Sequence, residues 1–177
     1  LIGIIQQRCR HSRADVRIGI GDDAAVVSVP ADHELAVCTD TLVAGVHFPL
    51  DTDAADIGWK SLAVNLSDLA AMGATPAWAS LALTLPVADA EFVEEFANGF
   101  AKLADRYDVA LIGGDTTRGP ATFSVTVHGF VPTGQAIQRS GAKVGDVVFV
   151  TGTLGDAAGA LLNLQMAHPS TSVANAN

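Results

Sequence analysis

Residues 121–131 (ATFSVTVHGFV) alternate strictly between apolar and polar side chains, and this pattern limits the folds open to the chain. A period of two predicts a strand whose Phe123, Val125 and Val127 share one face, and a sheet with one apolar face needs a second layer to cover it. Residues 89–108 supply such a layer, because apolar and aromatic side chains recur there at helical spacing. These side chains are Phe92, Phe96, Phe100, Leu103 and Tyr107.

The remaining elements follow from the same two periodicities. Residues 53–74 are rich in Ala and Leu and predict a second helix that stops at Gly73. In the helix of residues 89–108, Tyr107 lies on the apolar stripe, which predicts that its side chain packs in the core. Further strands are predicted for residues 17–30 on both sides of an acidic turn, 34–43, 78–86, 109–114 and 146–152. The order predicts an α+β fold, a mixed sheet with flanking helices.

Composition excludes several classes of protein. The chain is 49% hydrophobic, which predicts a large core, and its formal net charge of −9 argues against a nucleic-acid partner. No run approaches the roughly 20 apolar residues that a membrane span needs. The two cysteines, Cys9 and Cys38, have no metal-binding spacing and favour a reducing, cytoplasmic location.

Acidic residues at the ends of apolar elements are the strongest chemical signal. Asp68 shares a narrow polar stripe with Ser61 and Asn65, at i, i+4 and i+7 of an otherwise apolar helix, where a carboxylate is costly unless paired or metal-bound. Taken singly, each such aspartate reads as a turn or capping residue. Together they favour Mg²⁺ held by carboxylates and substrate phosphates. The set comprises Asp22, Asp23, Asp40, Asp68 and Asp115.

Other phosphate-binding and catalytic motifs are absent from the sequence. There is no GxxxxGK[ST] motif, the glycines in residues 152–159 have the wrong spacing for a dinucleotide fingerprint, and His47 and His128 lie in no recognisable catalytic triad. In residues 111–120 (LIGGDTTRGP), two glycines before Asp115 predict a turn that a phosphate and a metal approach. Arg118 reads equally as part of that turn or as a structural ion pair.

Four segments, in order, resemble the thiamine-monophosphate kinase family of the aminoimidazole ribonucleotide synthetase-like superfamily. They are GIGDDAAVV, TDTLVAGVHF, NLSDLAAMGATPAWASLALTLP and LIGGDTTRGP, and the resemblance covers about residues 16–155. It implies an ATP- and Mg²⁺-binding α+β domain over residues 1–145 and the start of a C-terminal α/β domain over residues 146–177. We therefore expect the chain to be part of a longer protein. Residues 167–177 of the chain would then be an interrupted end.

The resemblance also implies an activity and a set of site residues. The activity is transfer of the γ-phosphoryl group of ATP to thiamine monophosphate by a homodimer that closes a β-barrel between its subunits. Several Mg²⁺ ions would assist, and no side chain would act as a catalytic acid or base. The metal ligands would be Asp23, Thr39, Asp40, Asp68 and Asp115. The residues in contact with ATP would be Gly114, Asp115 and Arg139, and His47 would contact the thiamine phosphate.

Two other functions remain open at this point. A sibling ATP-dependent synthetase would use the same metal site on a different acceptor, and a non-catalytic Mg-nucleotide-binding module would dimerise without turnover. Many members of the family carry Ser at the position of Cys38, and a thiol is a poor ligand for Mg²⁺.

Overall fold

The computed structural model describes residues 1–167, and the rest of the predicted tail lies outside the described residues. Most predicted helices and strands appear within a few residues of their predicted bounds, and a short N-terminal helix precedes them. The elements are α1 (Ile2–Arg8), β1 (Val16–Ile18), β2 (Val26–Val27), β3 (His33–Val43), α2 (Ala54–Ala71), β4 (Thr75–Leu85), α3 (Ala90–Arg106), β5 (Ala110–Arg118), β6 (Thr122–Pro132), a 3₁₀ turn (Arg139–Gly141) and α4 (Asp156–Ala167).

A four-stranded mixed sheet carries the fold, in the order β3-β6-β4-β5. β6 pairs antiparallel with both β3 and β4, whereas β4 and β5 are parallel and are joined through α3. A parallel pair needs a crossover connection, and the amphipathic helix provides it. β3 and β5 are the edge strands of this sheet. Its combination of parallel and antiparallel pairs confirms the predicted mixed sheet of an α+β fold.

Helices α2 and α3 cover one face of the sheet, as the alternation in β6 predicts. Phe96 and Phe100 of α3 are fully buried, and Phe96 stacks on Phe123 of β6 with 5.1 Å between ring centroids. Burying side chains of this size stabilises the fold by about 1.5–3 kcal/mol each. α3 begins at Asp89, whose carboxylate accepts hydrogen bonds from the amides of Glu91 and Phe92 at 3.0 and 3.1 Å.

The two helices meet where each carries a glycine. A Cβ on Gly58 of α2 would lie 2.0 Å from the carbonyl oxygen of Phe96, and one on Gly99 of α3 would lie 1.8 Å from that of Ala55. Both distances are far inside van der Waals contact, so the helix backbones touch directly at this crossing.

The N-terminal segment is held against the opposite face of the sheet by a charged network. Arg13 donates to both carboxylate oxygens of Asp15, and Asp15 accepts from the indole N–H of buried Trp78 at 3.1 Å. Arg13 also donates to the backbone oxygen of Asp108 at 2.6 Å, just before β5. The bond from Arg13 lowers the pKa of the Asp15 carboxyl below its ordinary value. This network therefore fixes β1 relative to β4 and β5.

The predicted strand over residues 146–152 and the predicted core packing of Tyr107 are both wrong. Residues 146–150 form no strand: Val148 and Phe149 are 91% and 87% exposed, and neither edge of the described sheet pairs with them. A strand needs a hydrogen-bonded neighbour, and this segment has none among residues 1–167. Tyr107 does not pack in the core, because α3 ends at Arg106 and the Tyr107 ring, 46% exposed, lies against the Arg106 guanidinium.

None of the helices within residues 1–167 combines the length and the apolar character that crossing a membrane requires.

Candidate functional site

The polar stripe of α2 connects the helix to edge strand β3. Ser61 Oγ donates to the Ile57 carbonyl at 2.7 Å, and Asn65 Nδ2 donates to the Ser61 carbonyl at 3.0 Å. Asn65, which is fully buried, then accepts the backbone N–H of Asp40 at 3.0 Å. The stripe ends at exposed Asp68. The side chains of Ser61 and Asn65 are thus satisfied by backbone groups inside the fold, while Asp68 reaches the surface beside β3.

A cavity of about 400 Å³ lies at that end of α2, between β3 and residues 137–139. Cys38, Asp68 and Arg139 line it together, so the structure brings a predicted metal ligand and a predicted ATP contact to one place. Burial, followed by the charges of Asp68 and Asp40, raises the pKa of the Cys38 thiol to about 11. Its Sγ donates to the Asn65 carbonyl at 3.5 Å, so Cys38 is a neutral packing residue here.

Thr39 and Asp40 are consecutive residues of β3 and so point to opposite faces of the sheet. The Thr39 hydroxyl lies 2.7 Å from that of Thr126 on the open face. Asp40 pairs across the ladder with Val125, whose side chain is buried under the helices. The carboxylate of Asp40, like that of Asp68, therefore lies on the helix side of β3.

The glycine segment of β5 is not the turn that its sequence predicts. β5 continues through Arg118 in parallel pairing with β4, and its register shifts between Leu111 and Gly113. Gly114 has φ of +151°, and a Cβ there would lie 1.9 Å from the carbonyl oxygen of Leu81. The neighbouring strand thus makes glycine necessary at position 114, whereas a Cβ on Gly113 would meet nothing within 4 Å.

Asp115 and Asp23 lie apart from the β3 residues. Thr41, Ser124, Ala82 and Asp115 are successive partners across the sheet, so three strand spacings of about 4.8 Å separate Thr41 from Asp115 by roughly 14 Å. Asp115 lines a small cavity of about 90 Å³ under α1, and its carboxylate accepts the Thr116 amide at 2.8 Å. Asp23 is exposed between β1 and β2, and its amide donates to Asp22.

Within residues 1–167, no three His, Cys, Asp or Glu side chains lie close enough together to hold a metal ion by themselves. None of the four predicted carboxylate ligands forms an ion pair with a cation in this described part, although its other ion pairs are well defined. A carboxylate without an ion pair can serve as one ligand of a hard cation that takes the rest of its coordination shell from phosphates and water. These carboxylates are Asp23, Asp40, Asp68 and Asp115.

His47 occupies a tight turn directly after β3. Its Nδ1 accepts the backbone N–H of Val43 at 3.0 Å, so the ring proton resides on Nε2. Phe48 anchors the turn in the core, 5.8 Å from the ring of Phe123. On α2, Lys60 Nζ donates to the His47 carbonyl at 2.6 Å. The turn therefore presents an Nε2–H donor at the surface, a group suited to an anion.

Sequence reasoning missed the positions of two residues near these groups. Asn65 is visible as a buried polar residue on an Ala/Leu-rich helix, but its bond to Asp40 depends on tertiary structure. Lys60 gives no signal in the sequence, because a lysine on a helix surface is ordinary.

A mixed sheet under a pair of helices does not by itself fix a function, and the class of protein is given by the match to a family. Residues 21–131 match the family model described as AIR synthase related protein, N-terminal domain, and the chain belongs to that family.

Several relatives with known names are similar to this chain. Thiamine-monophosphate kinase of Escherichia coli is 56% identical over 165 residues, which is 93% of this chain and 51% of that protein. A crystal structure of thiamine-monophosphate kinase from Stenotrophomonas maltophilia superposes with TM-score 0.86 at 57% identity, covering 94% of this chain and 52% of that one. A structure described as AaThiL complexed with AMPPCP and TMP has TM-score 0.73 at 34% identity over 94% and 52%. The chain spans about half the length of the relatives it matches.

Proposed function

We propose that this chain is the N-terminal half of a thiamine-monophosphate kinase, which transfers the γ-phosphoryl group of ATP to thiamine monophosphate. The 56% identity with the Escherichia coli enzyme carries the proposal, because it extends over 93% of the chain. The named complex with AMPPCP, an ATP analogue, and TMP supports the two substrates. Residues 1–145 would form the ATP- and Mg²⁺-binding domain, and residues 146–177 the start of a C-terminal α/β domain. The exposed apolar run in residues 147–150 supports that division, since it needs a partner strand.

Each predicted site residue has a role in this reaction. Arg139 and Gly114 would contact ATP phosphates, and the Nε2–H of His47 would donate to the phosphate of thiamine monophosphate. When bound, Mg²⁺ would neutralise the repulsion between the two phosphate groups and align them for transfer. The side chains proposed to hold it are Asp23, Thr39, Asp40, Asp68 and Asp115.

The acceptor explains why no general base is needed. The second ionisation of a phosphate monoester has a pKa of about 6, so at neutral pH the nucleophilic oxygen is already an anion. What the protein must supply is positioning and neutralisation of charge, which aspartates around divalent cations provide. The described residues near the proposed site suit such a reaction, because carboxylates outnumber histidines among them.

A homodimer with a shared β-barrel is the assembly we propose. β3 is an eleven-residue edge strand, and Leu35 and Val37 on it are 40% and 54% exposed. Long exposed edges with apolar side chains favour pairing with another chain. A second copy would also bring its own carboxylates towards β3, which in one chain lies roughly 14 Å from Asp115, counted from Thr41 across the sheet.

The test is formation of thiamine diphosphate from thiamine monophosphate and Mg-ATP by the full-length protein, with the 177-residue chain run beside it. Turnover by the full-length protein supports the kinase, and turnover by that protein alone supports the division into two domains. Absence of product from a folded full-length protein that binds Mg-ATP would reject the thiamine assignment.

A further inference from the structure

We infer that Lys60 is a positioning residue for His47, the proposed contact of the acceptor phosphate. The inference deepens the proposed function and rests on it for the identity of the acceptor. Lys60 acts through the backbone of the His47 turn, which it holds by a hydrogen bond to the His47 carbonyl.

Nearly every polar atom of His47 already has a partner. Its amide donates to the Val43 carbonyl at 2.9 Å, and its Nδ1 accepts from the Val43 amide at 3.0 Å. Its carbonyl accepts from Lys60 Nζ at 2.6 Å. Nε2 remains without a partner in the described part of the chain, and it carries the ring proton. The residue is thus held at three points and offers one donor.

Of these three bonds, only the one from Lys60 comes from outside the turn. The others are local, as is the bond from the Gly45 amide to the Phe48 carbonyl at 2.9 Å, at a glycine with φ of +75°. Local bonds fix the shape of the turn, whereas the bond from Lys60 fixes its orientation relative to α2. A charge-assisted bond to a carbonyl is about twice as strong as a neutral one.

Helix α2 thereby becomes a common frame for both proposed substrate contacts. Lys60 and Asp68 are eight residues apart, which is about 12 Å along a helix at 1.5 Å per residue. Asp68 lines the cavity with Arg139 at one end of α2, and Lys60 holds the His47 turn nearer the other end. The spacing between ATP-side and acceptor-side groups is then set by one rigid element.

No competing ion pair draws Lys60 away from the His47 turn. Its ammonium is exposed and has no carboxylate partner within residues 1–167, although Asp51, Asp53 and Asp56 are its neighbours in sequence. The bond to the His47 carbonyl is therefore the polar contact that Lys60 makes in the described part of the chain.

Kinetics of the full-length protein test the inference through Lys60→Met. We expect the KM for thiamine monophosphate to rise about tenfold, the loss of one charge-assisted bond, while the KM for ATP changes less than about twofold. Lys60→Arg should restore most of the affinity, since arginine can donate to the same carbonyl. Lys102→Met is the matched control, because Lys102 is also an exposed helix lysine but lies over the Trp59 ring, 5.8 Å from its centroid. It should leave both constants unchanged.

A double variant separates positioning from direct contact. If Lys60 acts through His47, Lys60→Met should add little to the effect of His47→Ala. An equal rise in both KM values, or a full additional tenfold loss in the His47→Ala background, would overturn the inference.

An NMR measurement tests Lys60 independently of turnover. In spectra of the full-length protein, Lys60→Met should shift the backbone amide signals of His47 and Phe48, because the His47 carbonyl loses its bond, while the Val43 amide keeps the imidazole in the Nε2–H tautomer. An unchanged His47 spectrum in Lys60→Met would refute the positioning role. Because this readout needs no substrate, failure of the thiamine assignment would be recognised separately, by absent product with the NMR change intact.

Discussion

Substituting Gly99 by alanine tests the contact between α2 and α3 on which the helix layer depends. The new Cβ would lie 1.8 Å from the Ala55 carbonyl oxygen and 2.6 Å from its carbon. Both atoms belong to the backbone of a buried helix, so no side-chain rotation relieves the overlap. The helices must part by roughly 1.5 Å to reach ordinary contact, and Phe96 and Phe100 move with them.

The expected loss of stability is the difference between two opposing effects. Alanine is favoured over glycine inside a helix by about 1 kcal/mol. Overpacking of a close-packed core costs about 1–3 kcal/mol and sometimes more. Because the overlap is with backbone, we expect the upper part of that range and a net loss of about 1–2 kcal/mol in the free energy of unfolding.

Urea unfolding of the 177-residue chain, followed by circular dichroism, measures this change. Gly3→Ala in α1 is the matched control, because a Cβ there meets nothing within 4 Å. It should be neutral or slightly stabilising. If Gly99→Ala were as stable as the unsubstituted chain, the two helix backbones would not touch at this crossing and the described packing would be wrong.

Three further predictions concern charged groups. In the full-length protein, Asp68→Asn should abolish Mg²⁺-dependent turnover with an unchanged unfolding midpoint, because the side chain is exposed; near-normal kcat would contradict its role as a metal ligand. Because Arg13 lowers the pKa of Asp15, that carboxylate stabilises the fold at neutral pH and the contribution disappears as the pH falls below about 4. Unfolding curves of Asp15→Asn should accordingly depend less on acid than those of the unsubstituted chain, and equal dependence would refute the network. Burial lowers the pKa of His128, so stability should fall as the pH drops below about 6.5, and His128→Gln, which cannot take up the proton, should remove that part of the pH dependence.

Local patterns in the sequence predict most of the fold because they are properties of single elements. The alternation of Phe123, Val125 and Val127 predicts β6 and its buried face, and the stripe containing Phe96 and Phe100 predicts α3. Tyr107 shows the limit of this reasoning, because the periodic stripe continues one residue past the end of the helix.

Features that depend on distant parts of the chain could not be predicted in this way. Gly114 reads as an approach for a ligand, but the carbonyl of Leu81 on the next strand requires it. The segment 146–152 has the composition of a strand, and nothing in its own residues tells whether a neighbour exists. For the site, the residue types of Asp40 and Asp68 are informative, whereas their connection through Asn65 requires the packed structure.

The exposed run Val147, Val148, Phe149 and Val150 has a consequence for handling the chain. Four consecutive apolar residues with high β-propensity and no proline are the kind of segment that assembles into intermolecular sheets. Asp146 is the only charged residue directly flanking the run, so there is little repulsion to keep copies apart. Expressed alone, the 177-residue chain should lose solubility as its concentration rises. Cutting it at residue 141 would remove the run while leaving the sheet and its helix layer intact.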